Sequence, residues 1–255
     1  MNTDIIALKS LAYKEVKRVF RIWKQTLLPP VVTTTLYFLI FWHFIWSQVW
    51  DISGVSYVKF LVPWFIMMSL ITASYSNVSS SFFGAKFNRS IEEVITSSMS
   101  NTSIIFWYIS GWIVRWVLIS IIVFIVSWFF TDSTIYHPIL SFLFIFFTAS
   151  LFSLAWFFNA FFAKTFDDVN IIPTFIITPL IYLWWVFYSA STLSWVWAFL
   201  TKLNPIYYMI NGLRYWIIGH SDVNVYISLF AIILFNIIFF LLNFYLFKRG
   251  YWLKS

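Results

Sequence analysis

Lys86, Arg89, Glu92 and Glu93 put four charges into eight residues of a chain in which charged residues make up only 10%. Neighbouring carboxylates of this kind could exchange protons, ligate a metal or meet a complementary protein surface. The first two uses need partners that the chain does not supply. Its three histidines, His43, His137 and His220, are far apart and form no ligand set, and cysteine is absent, so no metal site is expected. None of the six glycines begins a GxxxxGK[ST] phosphate loop, so this chain is not expected to hydrolyse ATP itself. No GxSxG elbow accompanies the serines, and the Asp and Glu residues fall outside the apolar runs, which leaves hydrolysis or acyl transfer without machinery. What remains is a solvated loop that merely reverses the chain, or a mixed-charge surface offered to a soluble partner.

The elements that must position these charges are apolar. The chain has 255 residues, 62% of them hydrophobic, whereas a soluble domain is about half apolar and about a quarter charged. Apolar runs of about 20 residues are long enough to cross a bilayer, and helices rather than barrel strands fit their continuous character. Six spans are expected, at 27–47, 58–83, 104–130, 138–163, 171–190 and 225–247, with Pro29 and Pro30 placed in the first turn of the first. Lys202, Asn204, Pro205, Asn211 and Arg214 interrupt residues 191–224 too often for a lipid-facing span. That segment is read as helical and re-entrant, dipping in from the outer side and returning. With both termini on one face, that face collects twelve Lys and Arg residues against three, Lys59, Lys202 and Arg214, on the other; the excess places both termini in the cytoplasm. The fold class is therefore all-α membrane protein, a single transmembrane domain over 1–255.

Two cytoplasmic stretches carry amphipathic patterns. Phe87, Ile91 and Val94 recur at helical spacing with Arg89, Glu92 and Glu93 opposite, so a short amphipathic helix is expected within the loop 84–101. In residues 1–26, Leu8, Leu11, Val16, Phe20 and Trp23 share a face while six Lys and Arg residues take most of the rest. That suits a helix lying in the headgroup region against membrane lipid. The stripe and the span directly behind it argue against both a nucleic-acid arm and a signal peptide.

Arg115 is the one permanent charge inside a predicted span. Such a residue is a functional candidate by default, and its expected partners are backbone carbonyls, hydroxyls such as Ser120, or an anionic group on lipid or substrate. The spans contain no Asp or Glu for a proton relay, and no internal repeat is visible, which weighs against a gradient-driven secondary carrier. A non-transporting membrane scaffold or biogenesis factor is the other alternative. Ser76, Asn77 and Ser80, in a hydroxyl-rich run of the second span, would permit close helix approach on a translocation path or dimer interface.

Several stretches together carry a family resemblance: TLLPPVVTTTLYF at 26–38, IMMSLITASYSNVSSSFFGAKF at 66–87, AKTFDD at 163–168, PTFIITPL at 173–180 and LNPIYYMINGLRY at 203–215. The chain resembles ABC-2 type transporter permeases, and among them the YadH-like inner-membrane permeases of Gram-negative bacteria. Pro205, Ile206, Tyr208 and Arg214 match the spacing of the family's C-terminal signature. The resemblance implies a multi-pass inner-membrane exporter subunit without cofactors of its own. It implies that a second copy pairs with it and that a separate ATP-binding-cassette ATPase, which binds the ATP and Mg, docks beneath. It also implies that the loop after span two is a coupling helix. Ile91 and Glu92 match the hydrophobic–Glu pair found there, which makes Arg89, Ile91, Glu92 and Glu93 candidates for the ATPase contact. Lys164, Asp167 and Asp168, in the other cytoplasmic loop, are weaker candidates. Trp184 and Trp185 stand where relatives usually carry small residues, and Ser97 to Ser100 lack a common proline.

Overall fold

A span that is apolar on every side can satisfy its backbone in lipid only by closing its hydrogen bonds internally, so each long apolar run is expected to become a helix. The computed structural model describes Tyr13 and residues 17–18, 20–40, 51–52, 55–96, 100–131, 135–182, 204–219, 221 and 223–250. Helix α1 is Trp23–Ile40; α2 is Tyr57–Val78, widening into a π-helical turn at Ser79–Phe83; α3 is Gly84–Phe87 and α4 is Ile91–Ile95. Helices α5, Asn101–Phe130, and α6, Pro138–Phe162, follow. Then come α7, Phe166–Ile172, a π-helical turn at Pro173–Ile177, α8 at Thr178–Tyr182, α9 at Pro205–Ile218 and α10 at Val225–Lys248. One departure from all-α is a two-residue ladder, Asp51–Ile52 antiparallel to Val55–Ser56, that leads directly into α2.

Local chemistry sets the helix starts. Ser100, Asn204 and Asn224 each accept a hydrogen bond from a backbone N–H in the first turn of the helix that follows. Pro138 and Pro205 occupy first helical positions, where no N–H is needed. Gly219, at φ 83°, ends α9 in the left-handed region. The first span departs from expectation. Helix α1 starts at Trp23, so Pro29 and Pro30 lie inside it rather than in its first turn. The helix starts four residues ahead of the predicted span, so the missing N–H groups fall in its second turn. Thr33 Oγ1 donates to Pro29 O at 2.7 Å there. The predicted end of that span, 41–47, lies outside the described residues.

Ring contacts and shared cavities set the helix directions. Phe38 stacks on Phe130 at 5.2 Å, and Gln25 shares a cavity with Arg115, so α1 and α5 run parallel. Tyr37 meets Trp64 and Phe65 early in α2, while Pro29 lies across from Thr72 and Ala73, so α2 returns antiparallel. Phe82 packs on Phe157 and Phe161, and Ile66 shares a cavity with Pro138 and Ile145, which makes α6 parallel to α2. Helix α10 is parallel to α6. Asn236 Nδ2 donates to Phe147 O at 2.9 Å and Asn243 Nδ2 to Leu154 O at 2.8 Å, seven residues on along both helices. Bonds of this type between apolar helices contribute about 0.6 kcal/mol each.

This arrangement defines two ends of the bundle. Phe83, Phe87 and Phe166 meet at the charged end. At the far end, Trp64 Nε1 donates to the Ile181 carbonyl, so α7 and α8 make one pass between the ends. Helix α9 then begins and finishes at the far end. Asn204 Nδ2 reaches Leu180 O at 3.0 Å, and the N–H groups of Tyr136 and His137 bond the Ile217 and Trp216 carbonyls. Of the segment predicted to dip and return, 191–203 and the connection after α9 at 220 and 222 lie outside the described residues.

Trp64, Trp116, Phe82 and Phe157 anchor a core shared by α2, α5 and α6. The outside is apolar as well. Tyr226, Ile227, Phe230, Ile237 and Leu241 of α10 are all exposed, a stripe longer than a water-facing surface tolerates. Helices α6 and α10, at 25 and 24 residues, are long and apolar enough to cross a membrane.

Candidate functional site

The charged segment hangs from two buried rings, Phe82 and Phe83, at the end of the π-helical turn. The structure replaces the single amphipathic helix expected there with two short ones. Arg89 takes a left-handed backbone, φ 58°, between α3 and α4, which breaks the helical phase. Phe87 is 61% exposed and Ile91 is 2% exposed, so the residues predicted to share one face separate. A positive φ at a residue with a side chain costs on the order of 1 kcal/mol. The Arg89 N–H to Lys86 O and Glu92 N–H to Arg89 O bonds, both 3.1 Å, hold it. Buried Ile91 anchors α4 inward and leaves Arg89, Glu92 and Glu93 exposed on the outer side.

Lys86, counted from the sequence among the solvated charges, points the other way. Its Nζ donates to Phe161 O at 2.9 Å and Ala163 O at 3.0 Å, with Ala160 O at 3.5 Å. These carbonyls end α6, where the helix has no N–H of its own to satisfy them and the macrodipole favours a cation. Partial burial lowers the Lys86 pKa below its ordinary 10.5. Phe166 packs edge-on against Phe83 at 4.8 Å and against Phe87 at 5.3 Å, and Asn159 Nδ2 donates to Val169 O. The two loops predicted to face the cytoplasm thus form one body.

Asp167 and Asp168, expected in a loop, occupy the first turn of α7. Thr165 caps that helix, and its hydroxyl accepts from the Asp168 N–H while the Asp168 carboxylate accepts from the Lys164 and Thr165 N–H groups, both at 2.9 Å. Asp168 is therefore committed to backbone, whereas Lys164 and Asp167 remain exposed. The two backbone bonds hold the Asp168 carboxyl below its ordinary 3.8. A depressed carboxyl stabilises the fold above its unfolded pKa and loses that contribution as pH falls through the folded one. Protection of the Lys164 and Thr165 amides, measured as exchange relative to the free peptide at the same pH, is expected to hold from neutral pH down to about 3.8 and to fall as the pH drops further through the depressed folded pKa. Thr165→Ala should weaken the α7 start by about 1 kcal/mol.

The other candidates divide. Arg115, the midpoint of α5 and 5% exposed, lines a cavity of about 320 Å³ between α1, α2 and α5. The Ser120 hydroxyl, expected beside it, makes no hydrogen bond. The side chains of Ser76, Asn77 and Ser80 lie outside the described residues, as do Trp184, Trp185 and the stretch 97–99. The signature residues are structural. Pro205 starts α9, Ile206 is buried behind it, Tyr208 is half-buried, and Arg214, 1% exposed, lies 3.7 Å over the Phe60 ring. A Cβ on Gly212 would run into the Phe144 ring. Sequence reasoning missed Lys86 as an inward clamp. It also missed the capping box at Thr165 to Asp168, although its T-x-x-D spelling was visible.

Residues 6–218 match the family described as ABC-2 type transporter. The chain is 46% identical over 255 residues to the inner membrane transport permease YadH of Escherichia coli strain K12, with 100% of both chains covered. The same figures hold for the proteins of that name in Escherichia coli O157:H7 and Shigella flexneri. No solved structure matches.

Proposed function

Because the chain belongs to the ABC-2 type transporter family, we propose that it is the six-span membrane subunit of an ATP-driven exporter in the bacterial inner membrane. In this reading two copies pair, a separate ATP-binding-cassette ATPase docks on the charged end, and an amphipathic, lipid-linked or drug-like substrate moves through the dimer. ATP hydrolysis is left to the partner. The observation that carries the reading is the joined platform at the charged end, where Glu92 and Glu93 are exposed on a short helix whose other side, Ile91, is buried. A carboxylate pair on a fixed body can transmit a push, which a loose loop cannot. The parallel course of α6 and α10, with one pass in α7 and α8 and both ends of α9 at the far end, supports a re-entrant segment and a cytoplasmic C-terminus.

The test is co-expression with the cognate ATPase, followed by reconstitution in lipid. Glu92→Lys together with Glu93→Lys should weaken ATPase binding at least tenfold, about 1.4 kcal/mol, and abolish ATP-driven transport. Transport by the lone subunit under a proton or sodium gradient would make it a secondary carrier instead. A stable complex whose ATP turnover moves no cargo would make it a scaffold.

A further inference from the structure

Two aromatic rings stand uncovered among the charges of the joined platform. Phe87 ends α3 and Phe166 begins α7; both are exposed, and their ring centroids lie 5.3 Å apart. The rings come from different loops, and buried Phe83 braces both, at 6.3 Å from Phe87 and 4.8 Å from Phe166. A continuous helix would have turned Phe87 to the same side as buried Ile91, four residues on. The left-handed backbone at Arg89 prevents this. The fold thus accepts a strained arginine and keeps a large ring in the open, and strain of this kind clusters where a function uses it. Exposed rings are ordinary on lipid-facing helices, but this pair has charged neighbours. Arg89, Glu92 and Glu93 follow Phe87, and Lys164 and Asp167 flank Phe166, all of them exposed. Carboxylates so close keep the pair out of hydrocarbon. In water, two touching rings favour a cover.

We infer that Phe87 and Phe166 form one aromatic anchor that inserts into an apolar slot of the ATPase, and that this pair, rather than the surrounding charges, supplies most of the docking affinity. The inference rests on the exporter reading and adds the chemistry of the partner's surface. An apolar centre inside a charged rim is the usual anatomy of a protein interface, and the energy concentrates in the central aromatic residues. Exposed ion pairs at the rim contribute little and are screened by salt. Of the exposed charges around the rings, three are acidic, Glu92, Glu93 and Asp167, and two are basic, Arg89 and Lys164. The slot is therefore expected to carry an excess of Lys or Arg on its edge toward α4. The rings belong to the segments that follow α2 and α6, so a partner gripping both moves the ends of those two helices together.

Docking of the cognate ATPase to the full chain in phosphatidylcholine nanodiscs is measured at about 0.05 M and about 0.5 M salt, a range over which the screening length shortens about threefold. Phe87→Ala is expected to weaken docking at least tenfold at both, and Phe87→Leu, which keeps an apolar side chain, to stay within about threefold of wild type. The charge reversal at Glu92 and Glu93 should lose most of its effect at the higher salt. Phe166→Ala should weaken docking as well, and the two alanine losses together should fall short of their sum. Docking of Phe87→Ala within about threefold of wild type, or a loss that vanishes at high salt, overturns the inference. If charge reversal still weakens docking in that case, the coupling reading stands without the anchor; if neither change weakens it, both fall. A second readout keeps both rings in place. Bimane on Asn88→Cys, at an exposed position, is expected to be quenched by iodide and not by doxyl-labelled lipid, and to be shielded when the ATPase binds. Quenching by the lipid label before the ATPase is added, or iodide access unchanged by the ATPase, overturns the inference.

Discussion

Lys86→Met is expected to leave the ATPase bound and its work lost: docking affinity within about threefold of wild type, and ATP-driven transport down more than tenfold. Glu92 and Glu93 are exposed on α4 and do not depend on Lys86 for their position, whereas the link from α3 to the end of α6 does. Removing the ammonium leaves the Phe161 and Ala163 carbonyls without their cross-bundle donor. Hydrogen bonds to a charged group contribute about 1.5 to 3 kcal/mol, and the lower figure applies because Lys86 is only half-buried. A push on α4 would then still reach α2 and α6 through the buried rings, Phe82 against Phe157 and Phe161, but without the polar link from α3 to the end of α6. Packed helices shift as bodies, so loosening α3 from the end of α6 should appear as wasted hydrolysis, with transport per ATP falling further than ATP turnover. Lys86→Arg should restore part of the ratio. A fall in docking and turnover together, with their ratio unchanged, would assign Lys86 a merely structural role.

The second large effect lies at the far end. Arg214 is 1% exposed, lies over the Phe60 ring at 3.7 Å and donates to Asn211 Oδ1 at 3.5 Å. Arg214→Ala removes both the stacked cation and the volume of a large core side chain, at an expected cost of about 3 to 5 kcal/mol. Arg214→Lys is expected to lose most of that, because an ammonium cannot lie flat on a ring as a guanidinium does. A double-mutant cycle with Phe60→Leu should return a coupling of about 2 kcal/mol, the value of a desolvated cation–ring contact. Steric trapping in bicelles measures each unfolding free energy. Near-additive losses would mean that the ring contact carries little.

The helical content and the ends of the later helices were legible because apolar runs of span length leave a chain in lipid one way to satisfy its backbone. Pro138 marked the start of α6 in residue type alone and α10 starts at the predicted Val225, whereas Asn204, read as an interruption of 191–224, is the cap of α9. The break at Arg89 was not legible: periodicity over Phe87, Ile91 and Val94 matches a continuous helix, and a positive φ at an arginine leaves no mark in composition. The course of Lys86 was hidden for a related reason. Its acceptors are backbone carbonyls of residues 74 to 77 positions away, and main-chain acceptors have no residue signature. Pro29 and Pro30 misled because proline favours first turns, yet a helix held by neighbours on two sides keeps a proline pair in its second. For Arg115, the sequence showed that a buried cation needs an acceptor but not that a cavity lay beside it.

The central claim is that the short helix after α2 faces the cytoplasm and receives the ATPase. The chain has no cysteine, so Glu92→Cys creates a unique thiol for a membrane-impermeant maleimide. Labelling is expected in inside-out vesicles, absent in intact cells, and suppressed when the ATPase is bound. Labelling from the periplasmic side of intact cells, or equal labelling with and without the ATPase, would contradict the account.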